Sequence, residues 1–524
     1  MKSTRTVIFL LMVLMVLVIP CLGDCAAKQP PTDTLVVALP TLEAGTFLPW
    51  NGGGQRTPYL SLIYDFLIYL DPKTEEPTPG LAIKWEMSND AKTWNFWLRK
   101  GVKWHEGWGE FTADDVIYTV ERQKAPGSTA GPAAQLRTQI AKVEAPEPYK
   151  VVFHLNMPDP EFDVGFHLDQ NQTPMVCKKY LETVGDEKAN AHPIGTGPYT
   201  LAEYKRGSSI KLKTIEGVEK HWRVTPEFKE VTFLGIPEEA TRVAMLRTGE
   251  VDLAPIYYDS VEKIKASGLK IISIQSSWSP VIRLGGLIMT DPKRFNPNAP
   301  WVDKRVRQAL LYAIDNKAIA KNIFSGEATP AGSATPIRQW MDIVPYPYDP
   351  AKAKQLLADA GYPKGFPITM KTCSIIPGAE LPTIGEAIAM YWKAIGLDVK
   401  IVPTDWNTIR GEWTGGKATG YVWTHRGFAS VSVLTTLTTE FVTPQPFSSY
   451  ASKETEDWIY NKISPERDPK KKDKLMKDFG EYLRDEAVQV FLVYANEPYG
   501  ASKKVGSWPV LRRNPKNIEL ITHP

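Results

Sequence analysis

Two strand–helix–strand units constrain the fold of this chain more than any other feature of the sequence. In the first unit the three segments are Val231–Ile236, Glu238–Arg247 and Val251–Leu253. In the second they are Ile368–Ile375, Thr383–Ile395 and Leu397–Val402. Such units place parallel strands in one sheet, with helices on its faces and right-handed crossovers between strands. The sequence is therefore predicted to fold as an α/β protein.

Length and charge narrow the class of protein. A chain of 524 residues is too long for one simple domain, so two or three domains are expected. The 62 Lys and Arg residues nearly balance the 59 Asp and Glu residues, and no Lys/Arg-rich stripe is present. Nucleic acid is therefore excluded as the main partner. The seven histidines show no H-E-x-x-H pattern and no helical i, i+4 pair, so neither a metal site nor a cofactor is predicted.

The N-terminus has the pattern of an export signal. Lys2 and Arg5 precede an almost wholly apolar run from Val7 to Pro20, which is short for a membrane span and typical of a signal-peptide core. Residues 1–25 are predicted to be this signal peptide. Two outcomes stay open, namely lipid attachment at Cys25 and simple cleavage near Gly23 or Ala27. The sequence also leaves open whether Cys177 and Cys373 pair, although two separate buried thiols are favoured.

Five motifs, in a fixed order, give the chain its family resemblance. The longest is Gly80–Arg122. In it Trp94, Phe96 and Leu98 alternate with Thr93, Asn95, Trp97 and Arg99 as in a strand, and Thr112 caps a helix. The other motifs lie at Val151–Pro160, Pro193–Tyr199, Asp303–Asp315 and Tyr348–Tyr362. Together they resemble the family 5 extracytoplasmic solute-binding proteins, which serve ATP-driven importers of peptides, nickel complexes and some oligosaccharides. The resemblance spans roughly residues 35 to 500.

This resemblance implies a type II periplasmic-binding-protein-like fold, with two lobes around a ligand cleft and a small extra domain. The implied first lobe comprises residues 35–75, 190–278 and 495–524, and the extra domain, residues 76–189, packs on it. The second lobe comprises residues 279–494. The chain would cross between the lobes near residues 275–285 and 490–500.

The resemblance also implies a function. The protein would be an exported, monomeric component of an ATP-binding-cassette importer, in the periplasm or on the outer face of the cytoplasmic membrane. It would capture a peptide-like solute and present it to the permease and ATPase complex. An oligosaccharide or organic anion is the alternative ligand, and an exported hydrolase using the same cleft is the alternative class.

The most informative candidate site is Trp423–Phe428, which the pattern places directly after a strand. In open α/β sheets, ligands bind where strands end at a cleft. Peptide-binding relatives resemble G-W-x-x-D-x-x-x-P here, and their Asp holds the ammonium group of the peptide. This chain keeps Trp423, followed by Thr424, His425 and Arg426, and has no Asp from Tyr421 to Glu440. Arg426 suits a carboxylate or phosphate, or else pairs with an acidic side chain at the lobe edge.

Other aromatic and loop residues are expected near the cleft. Because a tryptophan face can stack on a ring or sugar, several of the sixteen tryptophans are candidates, although packing is an equal alternative for each. Tyr257 and Tyr258 follow the strand at Val251–Leu253, and Asn51 begins a glycine-rich loop. The further candidates for ligand contact are Trp50, Asn51, Tyr257, Tyr258, Trp278 and Trp406.

Overall fold

The computed structural model describes residues 33–42, 46–52, 56–168, 173–375, 378–428, 433–511 and 517–524. The predicted signal peptide, Cys25 and the loop residues Gly53–Gln55 lie outside these ranges. Within them, no helix combines the length and apolar character needed to cross a membrane.

The elements of the described residues are numbered in chain order. The strands are β1 Thr34–Leu39, β2 Ile68–Leu70, β3 Pro77–Pro79, β4 Ala82–Met87, β5 Thr93–Leu98, β6 Ile140–Glu147, β7 Lys150–Leu155, β8 Tyr199–Lys205, β9 Ser209–Thr214, β10 Glu230–Gly235, β11 Leu253–Pro255, β12 Lys270–Leu284, β13 Ala328–Pro330, β14 Pro367–Thr372, β15 Asp398–Pro403, β16 Val422–Phe428, β17 Val490–Phe491 and β18 Val493–Ala501. The α-helices are α1 Thr57–Ile63, α2 Ala113–Lys124, α3 Ala133–Gln139, α4 Lys178–Ala191, α5 Glu239–Thr248, α6 Val261–Ala266, α7 Lys304–Tyr312, α8 Asn316–Asn322, α9 Pro350–Asp359, α10 Leu381–Ala394, α11 Trp406–Thr414, α12 Val433–Phe441, α13 Lys453–Asp457 and α14 Pro469–Asp485.

Twelve of these strands form one continuous sheet in the order β15-β14-β16-β12-β18-β11-β1-β10-β9-β8, with β13 beside β18 and β17 beside β12. Both predicted strand–helix–strand units are present. In the first, β10 and β11 are each parallel to β1, which lies between them, and α5 connects the two. In the second, β14 and β15 pair in parallel and are connected by α10. The α/β prediction is therefore confirmed.

The two lobes are joined through the long strand β12 and its antiparallel partner β18. The register between them shifts after Ile274↔Glu497 and resumes at Trp278↔Ala495. The second half of β12 pairs with β16 along its other edge and with β17 beyond β18. Apolar side chains on the two sides of this shift belong to two large, separate cores. The exact residue bounds of the lobes stay a prediction.

A separate four-stranded sheet, in the order β4-β5-β7-β6, lies with α2, α3 and α4 beside the first lobe. We call these elements and their connecting loops the extra domain. Its aromatic strand residues, such as Trp94, Phe96 and Phe153, share one apolar core with β1 and α1. At the start of α2, the backbone N–H of Thr112 donates to Asp115 Oδ2 at 2.9 Å, which satisfies one amide at the helix end.

The heptapeptide Pro193–Tyr199 has a structural explanation. A Cβ on Gly195 would stand 1.8 Å from the carbonyl oxygen of Ile63 at the end of α1. His105 binds the same turn, since its Nδ1 accepts from Gly195 N at 3.2 Å and its Nε2 contacts Gly197 O at 2.8 Å. Burial lowers the pKa of His105, which keeps the ring neutral for this pairing. The motif therefore joins the extra domain to the first lobe.

The two cysteines of the described residues are buried and free. Cys177 lies in the core that the first lobe shares with the extra domain, and Cys373 lies in the core of the second lobe. The prediction of two separate buried thiols is confirmed.

Candidate functional site

A pocket with a volume of about 350 Å³ lies in the second lobe beside the last residues of β16. This volume is within the range of small-molecule sites, roughly 300–1,000 Å³. The pocket lies between β16 and the helices α11 and α12. Its lining consists of Arg283, Thr335, Trp406, Trp413, His425, Arg426, Gly427, Phe428, Thr435, Thr436, Thr439, Glu440 and Phe447.

An aromatic wall forms one side of the pocket. Asp405 caps the start of α11 by accepting a hydrogen bond from Thr408 N at 2.9 Å. The side chains of Trp406 and Trp413 extend from this helix toward β16. The His425 ring lies between the two indoles, with its centre 5.1 Å from Trp406 and 5.2 Å from Trp413. The wall is held in place because the indole N–H of Trp413 donates to Ser448 O at 2.9 Å.

The opposite side carries threonine hydroxyl groups and an ion pair. Thr435, Thr436 and Thr439 lie on α12 together with Glu440. Glu440 binds Arg283 of β12 through two hydrogen bonds of 2.8 and 2.9 Å. The Arg283 side chain is 1% exposed, so this charge is stabilised by its partner rather than by water.

The pocket lining carries more positive than negative charge. Its lining includes two guanidinium groups, Arg283 and Arg426, and one carboxylate, Glu440, which Arg283 already binds. Burial, with the nearby charges of Arg283 and Arg426, lowers the pKa of His425 well below its ordinary value, so the ring is neutral at pH 7. Among the described lining residues the net charge is therefore positive, which favours an anionic group in the pocket.

The neutral His425 predicts a pH dependence of stability. In the unfolded chain this ring takes up a proton below its ordinary pKa of 6.5, whereas in the folded protein it stays neutral. The unfolded state then binds more protons, so stability falls as the pH drops through 6.5. Between pH 7.5 and 5.5 the loss from this group is expected to be about 1.4 kcal/mol.

The measurement is urea unfolding at both pH values for the wild type and for His425→Gln. His105 and His221 also have lowered pKa values because of burial, so both proteins will lose stability in acid. The variant is expected to lose less than the wild type by the amount assigned to His425. An equal loss in the two proteins would show that His425 is protonated in the folded state.

The structure corrects the prediction for residues 423–428. This segment does not follow a strand but forms β16 itself, antiparallel to β12, with β14 pairing only as far as Trp423. Trp423 and Thr424 are buried at 1% and 0% exposure and do not line the pocket. His425 and Arg426, beyond the last β14 pair, do line it, as does Trp406. Their contact with a ligand remains a prediction.

Trp278 and Tyr258 lie at the junction of the lobes and are not among the residues that line this pocket. The indole N–H of Trp278 donates to the Tyr258 hydroxyl at 3.2 Å, and that hydroxyl donates to Asn496 O at 2.6 Å. Both rings are buried, with their polar atoms satisfied. They therefore stabilise the junction, and their contact with a ligand remains a prediction. Tyr257 is 55% exposed and does not line the pocket either.

Trp50 and Asn51 lie in the first lobe, in a turn before α1. Trp50 is 4% exposed, and the guanidinium of Arg122 lies 4.0 Å from the centre of its ring. The backbone N–H of Asn51 donates to Leu48 O at 3.1 Å, which closes the turn. Trp50 therefore packs between the first lobe and the extra domain, which is the alternative that the sequence left open.

Several pocket residues were not predicted from the sequence. Arg283 lies near the end of the long strand β12, where the sequence pattern does not distinguish it from a surface residue. A signal was available for α12, because Thr435, Thr436, Thr439 and Glu440 are spaced at i, i+1, i+4 and i+5, which is one polar face of a helix. Trp413 and Phe447 carry no such signal, since aromatic residues are common in cores.

Comparisons with known proteins agree with this architecture. Residues 76–433 match the family described as bacterial extracellular solute-binding proteins, family 5 middle. The dipeptide-binding protein of Escherichia coli K12 is 31% identical to this chain over 391 residues, which are 67% of this chain and 70% of the relative. Heme-binding protein A of Haemophilus influenzae is 29% identical over 384 residues, 68% of each chain.

Solved structures show the same fold. HbpA2 from Haemophilus parasuis has a TM-score of 0.79 at 21% identity, covering 94% of this chain and 100% of that chain. An ABC transporter substrate-binding protein from Sinorhizobium meliloti has a TM-score of 0.75 at 20% identity, with coverage of 94% and 100%. Because the family match extends over residues 76–433 and a relative is 31% identical over most of both chains, this protein is a member of the bacterial extracellular solute-binding proteins of family 5.

Proposed function

We propose that this protein is the exported solute-binding component of an ATP-binding-cassette importer and that it captures a peptide-like solute between its two lobes. A ligand that contacts both lobes binds the closed arrangement more tightly than the open one and so drives closure. The permease and ATPase complex would receive this closed form. The observation that carries the proposal is the family membership together with a pocket of ligand size on the second lobe.

We further propose that Arg426 holds an anionic group of the ligand. Arg426 lines the pocket, with its guanidinium carbon 4.7 Å from the centre of the Phe428 ring. The one carboxylate among the described lining residues, Glu440, is bound by Arg283. A free ammonium group would therefore meet a positive pocket, whereas a carboxylate would meet a favourable one. The aromatic wall adds apolar area beside the charged group.

An organic anion is the second candidate ligand, and the same positive pocket favours it. Relatives differ in the ligands that their names give, since one is a dipeptide-binding and another a heme-binding protein. Family membership by itself therefore does not select the compound.

A thermal-shift screen tests the ligand class. Peptides, organic acids and oligosaccharides are added at fixed concentration, and a ligand that binds only the folded state raises the melting temperature. We expect anionic peptides or organic acids to give the largest shifts. If peptides with amidated C-termini and no acidic side chain gave equal shifts, the anion requirement would be wrong. Turnover of a hit would instead support the exported hydrolase.

Arg426→Ala is expected to weaken binding of the strongest anionic hit tenfold to a hundredfold. Hydrogen bonds to charged groups contribute roughly 1.5–3 kcal/mol, and each ~1.4 kcal/mol is a factor of ten in affinity. Isothermal titration calorimetry gives both affinities. Arg247→Ala is the matched control, because Arg247 is exposed on α5 in the first lobe and lies outside the pocket lining. Unchanged affinity in Arg426→Ala, or its failure to fold, would assign Arg426 a structural role.

A further inference from the structure

Glu161 of the extra domain reaches across to the second lobe and contacts two of its helices. Its Oε2 accepts a hydrogen bond from Leu434 N, in the first turn of α12, at 3.2 Å. Its Oε1 lies 3.3 Å from Lys472 Nζ, in the first turn of α14. The side chains of Glu161 and Lys472 are 16% and 20% exposed, so water screens this contact less than it screens a surface ion pair.

Glu161 is held firmly on its own side. Its backbone N–H donates to Asp159 Oδ1 at 2.9 Å, and the next residue, Phe162, is 3% exposed in the aromatic core of the extra domain. Glu161 therefore presents its carboxylate from a fixed backbone position, with Oε1 3.3 Å from Lys472 Nζ.

Helix α12 connects the contact made by Glu161 to the ligand pocket. The same helix that receives Glu161 at its first turn carries Thr435, Thr436, Thr439 and Glu440 on the pocket lining. A carboxylate at a helix N-terminus stabilises the orphan amides and the positive end of the helix dipole. The position of α12, and hence of one pocket wall, thus depends on a side chain from another domain.

We propose that Glu161 is a positioning residue that fixes the start of α12 and restrains the second lobe against the extra domain. The extra domain would then take part in setting the ligand pocket and in limiting how far the lobes separate. This inference deepens the proposed function, because it concerns the same pocket, and its test uses the protein without ligand.

A second ion pair, which joins the turn between β2 and β3 to the second lobe, provides a matched control. Glu76 Oε1 lies 2.8 Å from Arg338 Nη1, but these side chains are 56% and 44% exposed and neither belongs to α12. Exposed pairs contribute little to stability. Glu76→Gln therefore removes a carboxylate at the boundary with the second lobe without touching the pocket helix.

The experiment is hydrogen–deuterium exchange of ligand-free protein, read in a peptide that covers residues 433–441. Glu161→Ala is expected to speed exchange there about fivefold, because the amides of the first turn lose their acceptor and α12 opens more readily. Lys472→Met, which keeps the Leu434 contact, should give a smaller increase, and Glu76→Gln none. Small-angle scattering of Glu161→Ala should show a larger radius of gyration.

Two results would overturn the proposal: unchanged exchange over residues 433–441 in Glu161→Ala, or an equal increase in Glu76→Gln. Lys472→Met guards against a folding defect of Glu161→Ala, since it removes only the ammonium group and leaves the loop of Glu161 unchanged. A general loss of structure would speed exchange across both lobes, whereas a positioning role changes α12 first. Because the exchange experiment needs no ligand, its result is independent of the binding test on Arg426. Either proposal can therefore fail without contradicting the other.

Discussion

Replacing Glu440 with glutamine is expected to lower the free energy of unfolding by about 3–5 kcal/mol, the usual cost of removing one partner of a buried ion pair. Arg283 is 1% exposed, and Glu440 binds both of its terminal nitrogens, at 2.8 and 2.9 Å. An amide keeps the shape of the carboxylate but places an N–H₂ group against a guanidinium. The buried positive charge then has no anion to balance it.

Urea unfolding followed by tryptophan fluorescence measures this change. Glu86→Gln is the matched control, because Glu86 pairs with Lys84 at 2.6 Å while their side chains are 55% and 58% exposed. Such a pair contributes at most about 1 kcal/mol. Arg283→Met combined with Glu440→Leu removes both charges and is expected to recover much of the loss. A loss in Glu440→Gln no larger than in Glu86→Gln would show that water reaches the buried pair.

Gly195→Ala is expected to destabilise the protein by about 3 kcal/mol, at the upper end of the range for overpacking. The added methyl carbon would lie 1.8 Å from the carbonyl oxygen of Ile63, and a backbone oxygen cannot rotate away as a side chain can. The turn would have to move, and with it the two contacts that His105 makes to Gly195 N and Gly197 O.

Gly411→Ala is the control for this substitution. Gly411 lies within α11, is exposed, and a Cβ there would have no heavy atom within 4 Å. Alanine in a helix interior is favoured over glycine by roughly 0.5–1 kcal/mol, so this variant should be slightly more stable. Unfolding midpoints in urea compare the two variants. A Gly195→Ala protein as stable as the wild type would mean that the turn and α1 move apart at little cost.

The local elements of this fold follow closely from the sequence. The strand–helix–strand units around α5 and α10 were predicted because their apolar runs, capping residues and stopping glycines are all local signals. Helix α9 also depends on local signals, since the Asp349 side chain accepts a hydrogen bond from Lys352 N at 2.8 Å and Pro350 occupies the first helical position. These features need no information from the rest of the chain.

The candidate site was harder to predict from the sequence than the local elements, and particular residues show why. His425 and Arg426 were identified because they depart from a motif, although the segment was placed after a strand and not within one. Tyr258 follows the strand-end rule in sequence and Trp278 was a candidate for stacking on a ligand, yet the two hydrogen-bond each other at the junction of the lobes. Whether an aromatic residue packs or faces a cleft depends on its neighbours in space, which a single sequence does not contain.

The sequence alone therefore determined the family, the α/β class and the pairing of strand with helix, because periodicity, caps and turns act over a few residues. The tertiary structure alone decided which groups form the pocket and which are already neutralised. Arg283 and Glu440 are 157 positions apart, and Glu161 and Leu434 are 273 apart. Such pairs form only when the folded chain brings distant segments together, so their charges and hydrogen bonds could not be assigned before the fold was known.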